Sequence, residues 1–169
     1  MKDLVLASTS PYRRALLERL GVAFVTAKPD TDETPLANES PQALVVRLAE
    51  AKARAVAAQY PNGLIIGSDQ VAVLDGAILG KPGNHDNAVQ QLTSAAGRHV
   101  SFYTGLCLYD VASDNAHTLY ETFNVHFRPL SEQQIERYLK AEKPYDCAGS
   151  FKSEGLGIAL FTRLEGDDP

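Results

Sequence analysis

The segment Leu64-Ile65-Ile66-Gly67-Ser68-Asp69-Gln70 places a short, continuous apolar run directly before an acidic residue. An apolar run without alternation is typical of a central strand that is buried on both faces. An acid at the end of such a strand is a common position for a functional residue in α/β proteins. A buried carboxylate must be paired or must bind a metal ion. Asp69 is therefore a candidate for catalysis or metal binding, and a turn or capping aspartate is the alternative.

The sequence on either side of this strand mixes helices, crossover connections and hairpins. Upstream, the patterns predict a strand at 4–7, a helix from about 11 to 20, a strand at 22–27 and a helix from 41 to about 60. Downstream, they predict a hairpin over 71–79, a helix over about 85–96, β segments over about 100–110 and 117–127, a helix from 131 to about 140 and a final strand over 157–164. This order predicts a mixed α/β (α+β) fold in a single domain, residues 1–169.

Composition excludes several classes of protein. The chain has 169 residues, of which 44% are hydrophobic and 22% charged, as in one globular domain with an ordinary core. Its net charge of −5 argues against binding to polymeric nucleic acid. The sequence has no apolar run long enough to span a bilayer and no signal-peptide pattern, so we expect no membrane association. Cys107 and Cys147 are too few for a disulfide framework, and a reduced, cytoplasmic protein is expected.

The segment Ser8-Thr9-Ser10-Pro11-Tyr12-Arg13-Arg14 ends a strand and begins a helix with two arginines in its first turn. Helix N-termini favour acidic side chains, because the free N–H groups form the positive end of the helix dipole. With a bound anion the preference reverses, since amides, hydroxyls and a guanidinium can converge on a phosphate. Ser10, Arg13 and Arg14 are therefore predicted phosphate ligands. The alternative is that Ser10 only caps the helix and the arginines are solvated.

Further charged residues lie at positions that suit phosphate or metal. Lys52 falls on the apolar stripe of its helix, where it extends to solvent, pairs with another group, or faces a polar cleft in which it holds phosphate. The loop segment Asp30-Thr31-Asp32-Glu33 offers carboxylates, which are ligands for Mg²⁺, although a solvated acidic loop is the alternative. Lys81, in Gly80-Lys81-Pro82, carries little information by itself. The sequence contains no P-loop, dinucleotide-binding or nucleophile-elbow motif.

Taken together in this order and spacing, these segments resemble the Maf family of nucleotide pyrophosphatases. The segment 7–14 is similar to the opening S-x-x-R motif, and Glu33 falls where the family places its loop acid. Similar matches are found for the family's E-K-A, D-x-V, K-P and late A-G segments at 50–53, 68–71, 80–82 and 148–151. The resemblance covers essentially the whole chain. One departure is that the family continues past the last strand with a V-G-L-P segment and a helix.

The resemblance implies an elongated, two-lobed Maf/ITPase-like fold with a central mixed sheet and an active-site cleft. It also implies a hydrolase of phosphorus-containing anhydrides that takes a small-molecule nucleotide, and it is compatible with a homodimer. Asp69 would act as the general base or would position the attacking water through the metal, and Glu33 and Asp69 would hold Mg²⁺ or Mn²⁺. The phosphate-binding residues would be Ser10, Arg13, Arg14, Lys52 and Lys81.

Three specificity positions of the family hold Tyr12, Gln70 and Glu154 here, as in the branch that acts on 7-methyl-GTP. Methylation at N7 gives the guanine ring a positive charge. Glu154 can accept hydrogen bonds from the ring N1–H and the exocyclic amine and can offset that charge, while Tyr12 can stack on the ring. The alternatives are a pyrophosphatase for dTTP, UTP or another modified nucleotide, and a nucleotide-binding regulator of septum formation without turnover.

Overall fold

The computed structural model describes residues 2–168. The helices are α1 (Pro11–Glu18), α2 (Pro41–Ala55), α3 (His85–Ala95) and α4 (Glu132–Glu142), and short 3₁₀ turns occur at Ala57–Gln59, Ala148–Ser150 and Leu156–Leu160. The strands are β1 (Leu4–Ala7), β2 (Val25–Ala27), β3 (Leu64–Leu74), β4 (Ala77–Leu79), β5 (His99–Asp110), β6 (Asn115–Phe127) and β7 (Phe161–Glu165). Within residues 2–168, every helix is too short or too polar to cross a membrane.

The strands form a seven-stranded sheet in the order β2-β1-β3-β5-β6-β7, with β4 paired to β3. Strand β1 pairs in parallel with both of its neighbours, so that Val5 lies opposite Val25 on one side and Ile65 on the other. The pairs β3–β4 and β6–β7 are antiparallel. Parallel crossover pairs and antiparallel hairpin pairs thus share one sheet, and the predicted mixed α/β fold class is confirmed.

The chain divides into two compact units, each with its own apolar core. The first unit runs to Gln70 and includes Thr104–Tyr120, and the second contains Val71–Tyr103 and the chain from Glu121 onward. The core of the first unit includes Val5, Ala49, Ala53, Ile65 and Cys107. The core of the second includes Leu92, Val100, Phe127, Leu139 and Phe151. The single domain over residues 1–169 stays a prediction.

Several predicted boundaries differ from the observed ones. Strand β3 continues to Leu74, so Asp69 lies inside the strand and not at its end. The extension arises because β4 pairs with the residues that follow Asp69. The predicted final strand begins only at Phe161, since Leu156–Leu160 form a 3₁₀ turn and the Gly157 N–H donates to the Lys152 carbonyl before it. Helix α2 ends at Ala55, and a 3₁₀ turn follows it.

Helix α2 packs directly on the sheet because two glycines allow its backbone to approach. A Cβ atom on Gly67 would lie 2.0 Å from the Ala49 carbonyl oxygen and 2.9 Å from the Ala53 nitrogen. A Cβ atom on Gly105 would lie 2.1 Å from the Val45 carbonyl oxygen. No side chain fits at these distances, so β3 and β5 accept the helix only where they carry glycine.

The substitution Gly67→Ala should lower the free energy of unfolding by about 3 kcal/mol, because the added methyl group collides with the α2 backbone in a packed core. Urea denaturation followed by circular dichroism measures this loss. Gly80→Ala is the matched control, since a Cβ at Gly80 meets no described atom within 4 Å. Equal stability of the two variants would contradict the close approach of α2 to β3.

Candidate active site

A buried ion pair between Lys52 and Asp69 forms the centre of the candidate site. Lys52 Nζ lies 2.6 Å from Asp69 Oδ1 and 2.9 Å from Glu33 Oε1. Lys52 and Asp69 are each only 6% exposed, whereas the side chain of Glu33 is 59% exposed. Asp69 follows Gly67 by two residues and therefore lies on the face of β3 that α2 covers. The structure thus brings together three residues that were predicted separately.

Arg13 adds a second positive charge to this group. Burial lowers the pKa of its guanidinium, while the negative charges of Asp69 and Glu33 oppose that effect. Arginine stays protonated in proteins because its ordinary pKa is so high. The group therefore contains two cations, Arg13 and Lys52, and two carboxylates, Glu33 and Asp69. The two positive and two negative charges balance, which compensates the burial of Lys52 and Asp69.

Serine hydroxyls close the turn between β1 and α1. Ser10 Oγ accepts the Arg13 N–H at 3.4 Å, and Ser8 Oγ accepts the Ser10 N–H at 3.1 Å. Ser10 is thus the N-cap of α1, and its O–H can still donate to an anion. Ser8 is 6% exposed and was not predicted as a site residue. Its position immediately before the capped turn is the sequence signal that could have identified it.

The neighbouring residues Tyr12 and Arg14 are exposed in the first turn of α1. Arg14 Nε donates to Glu18 Oε1 at 3.0 Å, one helical turn later, and both side chains are exposed. An exposed pair of this kind is worth only about 0.2–0.5 kcal/mol, so an anion can compete with Glu18 for Arg14. Tyr12 is 46% exposed in the first turn of α1. The phosphate role of Arg14 and the specificity role of Tyr12 stay predictions.

Gln70 is fixed by a residue that sequence reasoning missed. Its Nε2 donates to Thr104 Oγ1 on β5 at 2.7 Å. Thr104 engages one N–H of the amide, so the amide oxygen can accept from a ligand and the second N–H can donate to one. No motif points to Thr104. Only the pairing of residues far apart in the sequence identifies it.

The loop that carries Glu33 is anchored to α2 by Arg47. Arg47 Nε and Nη2 donate to the two carboxylate oxygens of Glu39 at 2.6 and 2.9 Å, and Nη2 also donates to the Thr34 carbonyl at 3.1 Å. Glu39 in turn accepts the Leu36 N–H at 2.9 Å. The bidentate pair lowers the pKa of Glu39 to about 2, and the Leu36 N–H contributes in the same direction. These bonds fix the loop directly after Glu33.

The Arg47–Glu39 pair should make this loop sensitive to acid. The pKa of Glu39 is lower in the folded protein than in the unfolded chain, so its stabilising contribution is complete above about pH 4.5 and is lost as the pH falls towards about 2. Glu39→Gln should therefore be less stable than the wild type at pH 7 and equally stable near pH 2. Urea denaturation at several pH values measures the difference, and a difference independent of pH would contradict this role of Glu39.

Lys81 and Glu154 lie in the second unit. Lys81 is exposed in the turn between β4 and α3. Glu154 is also exposed, and its Oε2 accepts the Ser153 hydroxyl at 3.4 Å. The remaining predicted site residues belong to the first unit, namely Ser10, Tyr12, Arg13, Arg14, Glu33, Lys52, Asp69 and Gln70. The predicted residues are thus divided between the two units.

The donor set of the first unit fits a hard divalent cation. Glu33 and Asp69 both contact Lys52 Nζ, so both carboxylates reach a common atom. Within residues 2–168, no three His, Cys, Asp or Glu side chains are grouped so that they could hold a metal ion. Mg²⁺ commonly takes one or two carboxylates and fills its other positions with water and substrate phosphates. Glu33 and Asp69 are the residues that would hold such an ion.

A sequence model described as "Maf-like protein" matches residues 3–168 of the chain. The chain belongs to the Maf family. A Maf relative from Colwellia psychrerythraea, named 7-methyl-GTP pyrophosphatase, is 62% identical over 169 residues, which are 100% of this chain and 84% of the relative. A second relative of the same name, from Nitrosococcus oceani, is 61% identical over 166 residues, which are 98% of this chain and 83% of the relative. The resemblance drawn from the Maf motifs is confirmed.

Proposed function

We propose that this Maf protein hydrolyses 7-methyl-GTP to 7-methyl-GMP and diphosphate. The observation that carries the proposal is the buried Lys52–Asp69 pair, with Glu33 and Arg13 beside it. It combines a shielded carboxylate with cations suited to phosphate oxygens. The name shared by two relatives at 61% and 62% identity supports the choice of substrate.

In the proposed reaction, a water molecule attacks the α-phosphorus. A new P–O bond forms, and the bond from the α-phosphorus to the bridging oxygen breaks, so that diphosphate leaves with the electron pair. Asp69 accepts the proton of the attacking water. The ammonium of Lys52 and the guanidinium of Arg13 stabilise the charge that develops on the phosphate oxygens. A Mg²⁺ or Mn²⁺ ion held by Glu33 and Asp69 would supply Lewis-acid stabilisation of those oxygens.

The remaining predicted residues have roles in binding. Ser10 and Arg14, at the N-terminus of α1, and Lys81, in the second unit, contribute donors to the triphosphate. The free amide oxygen of Gln70 suits the N–H donors on the guanine edge. Tyr12 stacks on the methylated ring and Glu154 offsets its positive charge.

The proposal includes a reduced, cytoplasmic environment and is compatible with a homodimer. Cys107 is fully buried, and burial raises the pKa of its thiol to about 11. The pKa of Cys147 is also raised to about 11, chiefly by burial. Both thiols are therefore protonated and unreactive at neutral pH, as expected of packing residues. Analytical ultracentrifugation tests the dimer.

A substrate panel tests the proposed function. The protein is incubated with Mg²⁺ or Mn²⁺ and with 7-methyl-GTP, GTP, dTTP, UTP or CTP, and released diphosphate and monophosphate are measured. Preferred cleavage of 7-methyl-GTP is expected. Cleavage of pyrimidine nucleotides alone would keep the enzyme class and reject the assigned specificity. Binding of nucleotide without release of diphosphate would instead favour the regulator of septum formation.

Asp69→Asn should lower kcat by about 10²–10⁴-fold, the usual contribution of a general base. Nucleotide affinity should change little, because asparagine keeps the shape of the side chain and can still accept from Lys52. Steady-state kinetics and calorimetric titration measure the two effects. Asp167→Asn, at an exposed position outside the candidate site, is the matched control. Full activity of Asp69→Asn would exclude Asp69 as the base.

Glu154→Gln should lower kcat/KM for 7-methyl-GTP by about tenfold or more, while kcat/KM for GTP changes much less. The substitution keeps the size of the side chain and removes the negative charge that offsets the methylated ring. GTP serves as the internal control in the same assay. Equal losses on both nucleotides would remove the specificity role of Glu154.

A further inference from the structure

The turn at residues 80–83, here called the Lys81 turn, is held by hydrogen bonds to its backbone. Gln91 Nε2 donates to the Gly80 carbonyl at 3.0 Å, and Asn87 Nδ2 donates to the Pro82 carbonyl at 3.0 Å. Gly83, in the left-handed region at φ 75°, donates its N–H to the Tyr145 carbonyl at 2.9 Å. Gly80 and Pro82 flank Lys81 directly. The path of the backbone at Lys81 is therefore set by Gln91 and Asn87, two side chains of α3.

The opposite end of the Gln91 amide holds a second segment. Gln91 Oε1 accepts the Ser150 hydroxyl at 2.5 Å. Ser150 is fully buried, so its hydroxyl needs a protein partner, and Gln91 supplies it. Gln91 thus donates to the Lys81 turn and accepts from Ser150 at the same time.

Ser150 is held in an unfavourable backbone conformation. Its φ is 67°, a left-handed value that non-glycine residues seldom adopt, and the preceding Gly149 has φ 77°. Such conformations persist only where the surroundings fix them, and they occur often at functional sites. The bond to Gln91 and the bond from the Ser150 N–H to the Cys147 carbonyl, at 3.1 Å, are the contacts that fix it.

The segment after Ser150 leads directly to Glu154. Phe151 is buried against Phe102, Phe127 and Phe161 with edge-to-face ring contacts. The Lys152 N–H then donates to the Tyr138 hydroxyl at 2.9 Å. Two residues later the chain reaches the exposed Glu154. The position of Glu154 is therefore set by a short, well-anchored segment that begins at Ser150.

We propose that Gln91 is a positioning residue that fixes Lys81 and Glu154 together through its single amide group. The proposal rests on the proposed function, in which Lys81 binds the triphosphate and Glu154 contacts the methylated guanine ring. Gln91 is half-buried, whereas Ala88, Leu92 and Ala95 form the buried face of α3. Helix α3 keeps its packing without the Gln91 amide, so the amide acts on the two segments and not on the helix itself.

Three variants separate the two ends of the amide. Gln91→Leu removes both hydrogen bonds. Gln91→Glu keeps an acceptor for Ser150 but loses the donor to Gly80, and Ser150→Ala removes the donor to Gln91 but leaves the bond to Gly80. Gln90→Leu is the matched control, because it makes the same replacement at the exposed neighbouring position of α3.

Two measurements report on the two segments. Binding of inorganic triphosphate, measured by calorimetry, reports on Lys81, because this ligand has no nucleobase and the measurement does not depend on catalysis. The ratio of kcat/KM for 7-methyl-GTP to that for GTP reports on Glu154. Gln91→Glu should weaken triphosphate binding by about tenfold and keep the ratio, and Ser150→Ala should lower the ratio by about tenfold and keep triphosphate binding. Gln91→Leu should change both the triphosphate affinity and the kcat/KM ratio. Gln90→Leu should change neither of them.

The outcomes distinguish this proposal from the proposed function. If the wild type cleaves 7-methyl-GTP but all variants keep its triphosphate affinity and its substrate ratio, the function stands and the positioning role is wrong. The positioning role is also wrong if the variants lose only thermal stability or active fraction, which is what a merely structural role predicts. If the wild type binds inorganic triphosphate but releases no diphosphate from 7-methyl-GTP, the function fails, and a loss of triphosphate binding in Gln91→Glu still supports the role of Gln91. Absence of triphosphate binding by the wild type would overturn the proposal.

Discussion

The contact between the α2 backbone and Gly67 of β3 is the constraint on which the candidate site depends. With any side chain at residue 67, the helix would have to move away from the sheet. Lys52 lies one turn beyond Ala49, the residue that meets Gly67, and Asp69 lies two residues beyond Gly67 on the same face. The close approach therefore brings the ammonium to 2.6 Å from the carboxylate and excludes water from both. A glycine in the core thus determines the geometry of a charged pair.

The charges of the first unit explain why such a pair is stable and still able to react. Burial of ions is costly, and it is compensated here because Arg13 and Lys52 balance Glu33 and Asp69. A nucleoside triphosphate brings its own negative charge, so the cations can exchange a carboxylate partner for phosphate oxygens. The exposed position of Glu33 suits this exchange, since one of the two carboxylates contacting Lys52 is already in contact with solvent.

In the second unit, the long side chains of Lys81 and Glu154 are exposed, and their backbones are held by hydrogen bonds and ring packing. Lys81 and Glu154 both extend into solvent, so their positions depend on how their backbones are fixed. Hydrogen bonds from α3 fix the turn at Lys81, and the Phe151 ring cluster with Ser150 fixes the approach to Glu154. Gln91 contacts both segments. Positioning through the backbone leaves the two side chains able to meet a ligand.

The mixed α/β class, most of the elements and the separate candidate site residues follow from local signals in the sequence, namely capping, apolar periodicity and short motifs. The sequence also determined the family, since the order of those motifs is specific. It did not determine that β3 extends through Asp69, because β4 supplies that pairing. Nor did it reveal that Lys52 contacts both Glu33 and Asp69 or that Thr104 bonds to Gln70. The two hydrogen bonds of the Gln91 amide, to Gly80 and Ser150, were also not predicted. Those contacts join residues far apart in the chain, and only tertiary packing decides which distant side chains meet.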